Sequence, residues 1–106
     1  MPPRYSRCRE KFLDAERRLV IGEGDVRERL CSSYRKLRML REEEVPPEMR
    51  QDFAWIMHQL TRRGPEKDSD GTVYKSAVKH TMSRVRNSTG KRIAERIYRL
   101  CRQLAR

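Results

Sequence analysis

Residues 47–64 read PEMRQDFAWIMHQLTRRG and contain the single tryptophan of the chain. Met49, Phe53, Ile56, Met57 and Leu60 recur at spacings of three and four, which puts their side chains on one face of a helix. A face this apolar must be buried, so the stretch predicts the central helix of a small bundle. Pro46 and Pro47 suit the first turn of a helix, where a missing N–H and a fixed φ cost nothing, and Gly64 with Pro65 stops it. Trp55 lies about a third of a turn from the stripe and widens the apolar face enough to meet two neighbours. Flanking helices are expected on both sides.

Working outward, residues 3–20 place Tyr5, Cys8, Phe12, Ala15 and Leu19 at helical spacing. Gly22 and Gly24 break that helix, and Asp25 with Glu28 three residues on has the capping-box pattern that opens a second one over 25–41. Its stripe is Val26, Leu30, Tyr34, Leu37 and Leu40. The run Glu42, Glu43, Glu44 reads as a solvated helix end and linker, because consecutive helical positions fan out by about 100° each. After Gly64 comes an acidic loop, GPEKDSDG, in which Asp70 or Thr72 is expected to cap a fourth helix over 72–86 that buries Tyr74, Ala77, Val78, Thr81, Met82 and Val85. The chain then turns at 87–90 (NSTG) and enters a last helix over 91–104 with the stripe Ile93, Ile97, Leu100 and Leu104. The expected fold is all-α: one compact domain over 1–106, with five short helices at 3–20, 25–41, 47–63, 72–86 and 91–104, and short connections that favour antiparallel neighbours. The expected core joins Phe12, Leu19, Leu30, Tyr34, Leu37, Phe53, Ile56, Leu60, Val78, Val85, Ile93, Ile97 and Leu100.

A chain of 106 residues has room for one core. Hydrophobic residues are 36% against 39% charged, so folding rests on periodicity more than on apolar content. No apolar run approaches the roughly 20 residues of a membrane span, and MPPRYSRCREKF lacks the apolar centre of a signal peptide, which makes the cytoplasm the expected compartment. Cys8, Cys31 and Cys101 are odd in number, far apart and without histidine at ligand spacing, so they read as small buried hydrophobes.

The net charge of +11 is unevenly spread. Residues 1–70 carry 16 Lys/Arg and 14 Asp/Glu, whereas residues 71–106 carry 10 Lys/Arg and the lone acid Glu95. Most cations are arginine, whose planar fork suits phosphate and carboxylate. On the last helix Lys91, Arg92, Arg96, Arg99, Arg102 and Arg106 fall within a band about 140° wide, nearly opposite the apolar stripe. On the fourth, Lys75, Lys79 and Arg86 share a face away from its core side.

Motifs for other chemistry fail on spacing. Glu66, Asp68, Asp70 and Gly71 match positions 1, 3, 5 and 6 of an EF-hand loop, but position 12 is Ala77 where the calcium shell needs a glutamate. STGKR at 88–92 invites a phosphate-loop reading, yet the glycine required five positions before the Gly–Lys pair is Val85. A looser phosphate contact at this helix start stays open. A helix-turn-helix over 77–104 would pack Arg86, Lys91 and Arg96 against its partner helix, so its register does not fit. His58 and His80 have no acidic residue at i±3 or i±4, and no nucleophile or zinc signature occurs, so no enzymatic role, cofactor or metal is expected.

The stretches YSRCREKF, GEGDVRERL, DFAWIMHQLTRR and VRNSTGKRIAERIYRL together resemble a group of small uncharacterised all-helical bacterial proteins. The resemblance implies an all-helical fold and a bacterial source, and carries no activity, ligand or site residue.

The functional expectation is therefore a small basic binding module. Lys75, Lys79, Arg86, Lys91, Arg92, Arg96, Arg99 and Arg102 are the candidate contacts to the phosphate backbone of duplex nucleic acid, with little sequence preference. Tyr74, read as buried, leaves too few exposed aromatics for single-strand stacking. The alternative is an adaptor or regulator whose acidic protein partner meets the same cations, and spare apolar surface around Trp55 or Tyr98 suggests a homodimer.

Overall fold

A computed structural model describes residues 5–105. The described residues form five α-helices and one very short hairpin: α1 Ser6–Ile21, α2 Val26–Leu37, α3 Arg50–Thr61, β1 Glu66–Lys67, β2 Val73–Lys75, α4 Ala77–Arg84 and α5 Asn87–Leu104, with 3-10 turns at Glu42–Glu44 and Pro47–Met49. The fold is the expected all-α bundle. None of these helices is long and apolar enough to cross a membrane.

α1 and α2 form an antiparallel pair whose seam is kept narrow by small residues: the Ser33 hydroxyl donates to the Ala15 carbonyl at 2.7 Å, and both residues are fully buried. Gly24 makes the turn between them with φ +84°, a conformation that L side chains rarely adopt. Asp25 caps α2 as expected, accepting from the N–H groups of Arg27 at 2.9 Å and Glu28 at 3.2 Å. Glu28 makes no reciprocal bond among the described residues, so half of the capping box forms.

α2 packs against all four other helices, most extensively against α1, and so shares the centre of the bundle with α3. α3 meets α2, α4 and α5, and the centroid of its Phe53 ring lies 6.1 Å from that of Phe12 on α1, which agrees with its two-sided apolar face. α5 packs antiparallel to α1: Cys101 Sγ donates to the Phe12 carbonyl at 3.1 Å, and Lys91, at the other end, lies beside Leu19 and Val20. Gly90 lets α5 approach α2 closely, since a Cβ there would meet Val26 Cγ1 at 3.0 Å and Leu30 Cδ1 at 3.5 Å. The Cα envelope of 48 × 26 × 19 Å is two helix layers thick, given interaxial spacings of about 8–10 Å.

Four sequence expectations are corrected. α2 ends at Leu37, not 41, because tight turns (Met39 N–H to Lys36 O, Leu40 N–H to Leu37 O) swing Leu40 into the core. The acidic run is not wholly solvated: Glu44 accepts from Arg7 at 2.7 and 2.8 Å and from the Arg41 N–H at 2.9 Å, tying the linker to α1. Residues 64–75 hold the hairpin, in which Glu66 pairs with Lys75 and Asp68 accepts from the N–H groups of Asp70 and Thr72 to close the turn. α4 consequently starts at Ala77 with Ser76 as its cap, and Tyr74 on β2 is 62% exposed instead of buried. Lastly, 87–90 is no turn but the first turn of α5. Of the expected core, Leu19 and Tyr34 are half-buried and the rest are buried.

Candidate nucleic-acid interface

The eight candidate cations do not lie on one face. α2 receives α5 through Val26 and Leu30, whereas Cys31 and Arg35 line a groove with Lys79 of α4. Each of the second set follows one of the first by five residues, about 140° around the helix. Lys79 therefore belongs to a different surface from the cations of α5. Lys75 is engaged on the hairpin, 3.7 Å from Glu66.

On α5 the outer face divides into edges and a centre. At one edge Arg96 Nη1 lies 2.7 Å from Asp52 Oδ1 of α3, and its guanidinium sits 4.5 Å from the centroid of the Trp55 ring. At the other edge Arg102 grips both carboxylate oxygens of Glu16 on α1, at 2.8 and 2.9 Å, and lies 5.2 Å from the Tyr98 ring. Between them lie Arg92 and Arg99, with Lys91 at the α1 edge beside Arg102; all three are exposed and have no acidic partner within ion-pair distance among the described residues. Asp52 and Glu16 are thus committed to the edge arginines, whereas Glu95, exposed in the same band one turn from Lys91, is in none of the ion pairs among the described residues.

The start of α5 adds a second anion-attracting feature. Its N-cap is Arg86, which supplies no side-chain acceptor, so the N–H groups of Asn87, Ser88 and Thr89 point outward without a protein partner among the described residues. Free N–H groups carry the positive end of the helix dipole. Arg86, Lys91 and Arg92 stand around that turn, so the STGKR segment does present donors and cations together, as a helix start and not as a Walker loop.

Lys79 faces a separate groove of about 490 Å³ between α2 and α4, whose floor includes Cys31 and Met82 and whose rim includes Arg35. A second hollow of about 330 Å³, with Tyr34, Arg38 and Ser76, continues it. Asp25, at its far end, is held below the usual carboxylate range by the hydrogen bond from the Arg27 side chain and then by the Glu28 N–H.

Helical spacing also missed the surroundings of Glu66. Its carboxylate lies 3.6 Å from His80 Nε2 and 3.9 Å from Arg84, while His80 Nδ1 is 3.0 Å from the Gly64 carbonyl. The Tyr74 hydroxyl, followed by His80, Lys75 and Arg84, holds Glu66 below its ordinary pKa. The partner of His80 lies in the hairpin, outside its own helix. The visible signal for that hairpin was Asp70 and Gly71 followed by the strand-formers Val73 and Tyr74. No protein-family model, curated protein or solved structure matches the chain.

Proposed function

We propose that the protein is a small binding module that contacts the phosphate backbone of duplex nucleic acid through α5. The observation that carries this reading is the set of unpaired cations on the α5 face, Arg92 and Arg99 at its centre and Lys91 at its α1 edge, next to the uncapped helix start at Arg86. The helix is 18 residues long, about 27 Å, so these groups can follow successive phosphates along one side of a groove. Arg96 and Arg102, held by Asp52 and Glu16, act as edge groups that orient the face. The exposed tyrosines, Tyr74 on β2 and Tyr98 at the α1 seam, do not interleave with these cations as a stacking track, which favours duplex over single strand. A cytoplasmic bacterial setting belongs to the same proposal.

An acidic protein partner is favoured by one observation, the apolar floor of the α2–α4 groove with Arg35 and Lys79 at the end away from Asp25 and Glu28. The two surfaces can be probed separately by electrophoresis at low salt with a 20-base-pair duplex, the matching single strand and a polyglutamate peptide. Retention of the duplex is expected, with loss in Arg92→Gln/Arg99→Gln and little change in Arg35→Gln/Lys79→Gln. Retention of polyglutamate alone, abolished by the second double variant, would replace the nucleic-acid reading with the acidic-partner one.

A further inference from the structure

An apolar groove lies open between α1 and α5. It measures about 420 Å³ and is lined by Leu19, Val20, Val26, Ala94 and Tyr98. Leu19, Val26 and Ala94 pack partly against the core, but Val20 is 73% exposed and Tyr98 54%. Leu13 is exposed too, and it precedes Val20 by seven residues, which places it on the same side of α1. Scattered exposed apolar residues are ordinary, whereas a contiguous set around a groove marks an interaction surface. Trp55, the other expected patch, is covered by Arg96.

We infer that this groove is a homodimer interface, in which the α1–α5 pair of one copy lies against the α1–α5 pair of a second. Charge selects the occupant. The rim carries Lys91 and Arg92 together with Glu16 and Glu95. A uniformly acidic partner would meet the two glutamates, and a uniformly basic one would meet Lys91 and Arg92. A second copy related by a two-fold axis meets neither difficulty, because each lysine can face the other copy's acid and the reverse. Glu16 is already committed to Arg102, so the exchange falls on Glu95, one helical turn from Lys91. Two antiparallel helix pairs stacked face to face also make a four-helix bundle.

Size sets the strength. α1 has 16 residues, about 24 Å, and two helices side by side present a face about 20 Å wide, hence about 500 Å² per copy. A total near 1,000 Å² falls at the low end for specific interfaces, so the dimer is concentration-dependent with a Kd of about 1–100 μM. It does not depend on the phosphate reading, which it meets only at Lys91 and Arg92.

Sedimentation equilibrium of the full chain from about 5 to 300 μM tests this. The mean mass is expected to rise from 12.7 kDa towards twice that value. Val20→Asp should weaken association at least about 30-fold by burying a charge. Ile21→Asp should change it less than about twofold, because Ile21 is 67% exposed but lies on the opposite flank of α1, beside Arg17, Arg18 and Lys36. Glu95→Lys should weaken it about tenfold and Lys91→Glu added to it should restore it. All four positions are exposed, so circular dichroism should show each variant folded. A monomer throughout the range, a dimer indifferent to Val20→Asp, one broken by Ile21→Asp, or a charge swap that fails to restore would each overturn the inference.

Discussion

Cys31 differs from Cys8 and Cys101 in a way that chemistry can read. Cys8 and Cys101 are at most 1% exposed, and burial pushes the Cys8 thiol up to about 11 and the Cys101 thiol up to about 12. Burial raises Cys31 as well, but it lines the α2–α4 groove, where Lys79 and Arg35 oppose the rise. Iodoacetamide at pH 8 is expected to modify Cys31 alone in the folded protein, with Cys8 and Cys101 reacting only on unfolding; peptide mass mapping showing equal rates would contradict these placements. Acid sensitivity is a second residue-scale consequence. Asp25, Glu44 and Glu66 all have lowered pKa values, Glu44 chiefly through the Arg41 N–H and then Arg7. A carboxyl whose pKa is lowered by folding adds stability that is complete above its unfolded pKa, about 3.8 for Asp and 4.5 for Glu, and is lost as pH falls through the folded value. The melting temperature should therefore be flat with respect to these groups from pH 7 to about 5 and fall below about 4. Glu66→Gln should melt below the parent at pH 7 and converge with it near pH 3; a constant gap would show that its ion pairs add nothing.

At the scale of elements, legibility followed length. The stripes of α1, α2, α3 and α5 run over three or more turns and could be read from the periodicity of Phe12, Leu30, Ile56 and Ile97. α4 has eight residues and the strands two and three, too few for a period to assert itself. Tyr74 fell into helical register with Ala77, Val78 and Thr81 by coincidence, and extended backbone at 73–75 turns it to solvent. The cap moved with it, from Asp70 or Thr72 to Ser76, whose hydroxyl accepts from the Lys79 N–H at 3.4 Å. Ser76→Ala should cost about 0.5–1 kcal/mol in chemical denaturation and Thr72→Ala close to nothing. The reverse order would return the start of α4 to residue 72.

For the whole molecule, the excess charge and the free face of α5 were visible in the sequence, but the pairing of that face was not. Arg96 and Arg102 are neutralised by Asp52 and Glu16, 44 and 86 residues earlier in the chain, and no local pattern reports such partners. The same packing separates Lys79 from α5. The proposed duplex contact is specific: Arg92 and Arg99, with Arg86 and Lys91, would carry the electrostatic attraction, and Arg96 and Arg102 would not. The salt dependence of duplex binding, followed by fluorescence polarisation from about 50 to 300 mM salt, tests it most directly. The predicted slope of log K against log salt is about −4 for the parent, flattened by about two in Arg92→Gln/Arg99→Gln and by less than about one in Arg96→Gln/Arg102→Gln. Absence of binding at about 10 μM protein and 50 mM salt, where even non-specific contacts of this number should register, or an equal loss of slope in both double variants, would contradict it.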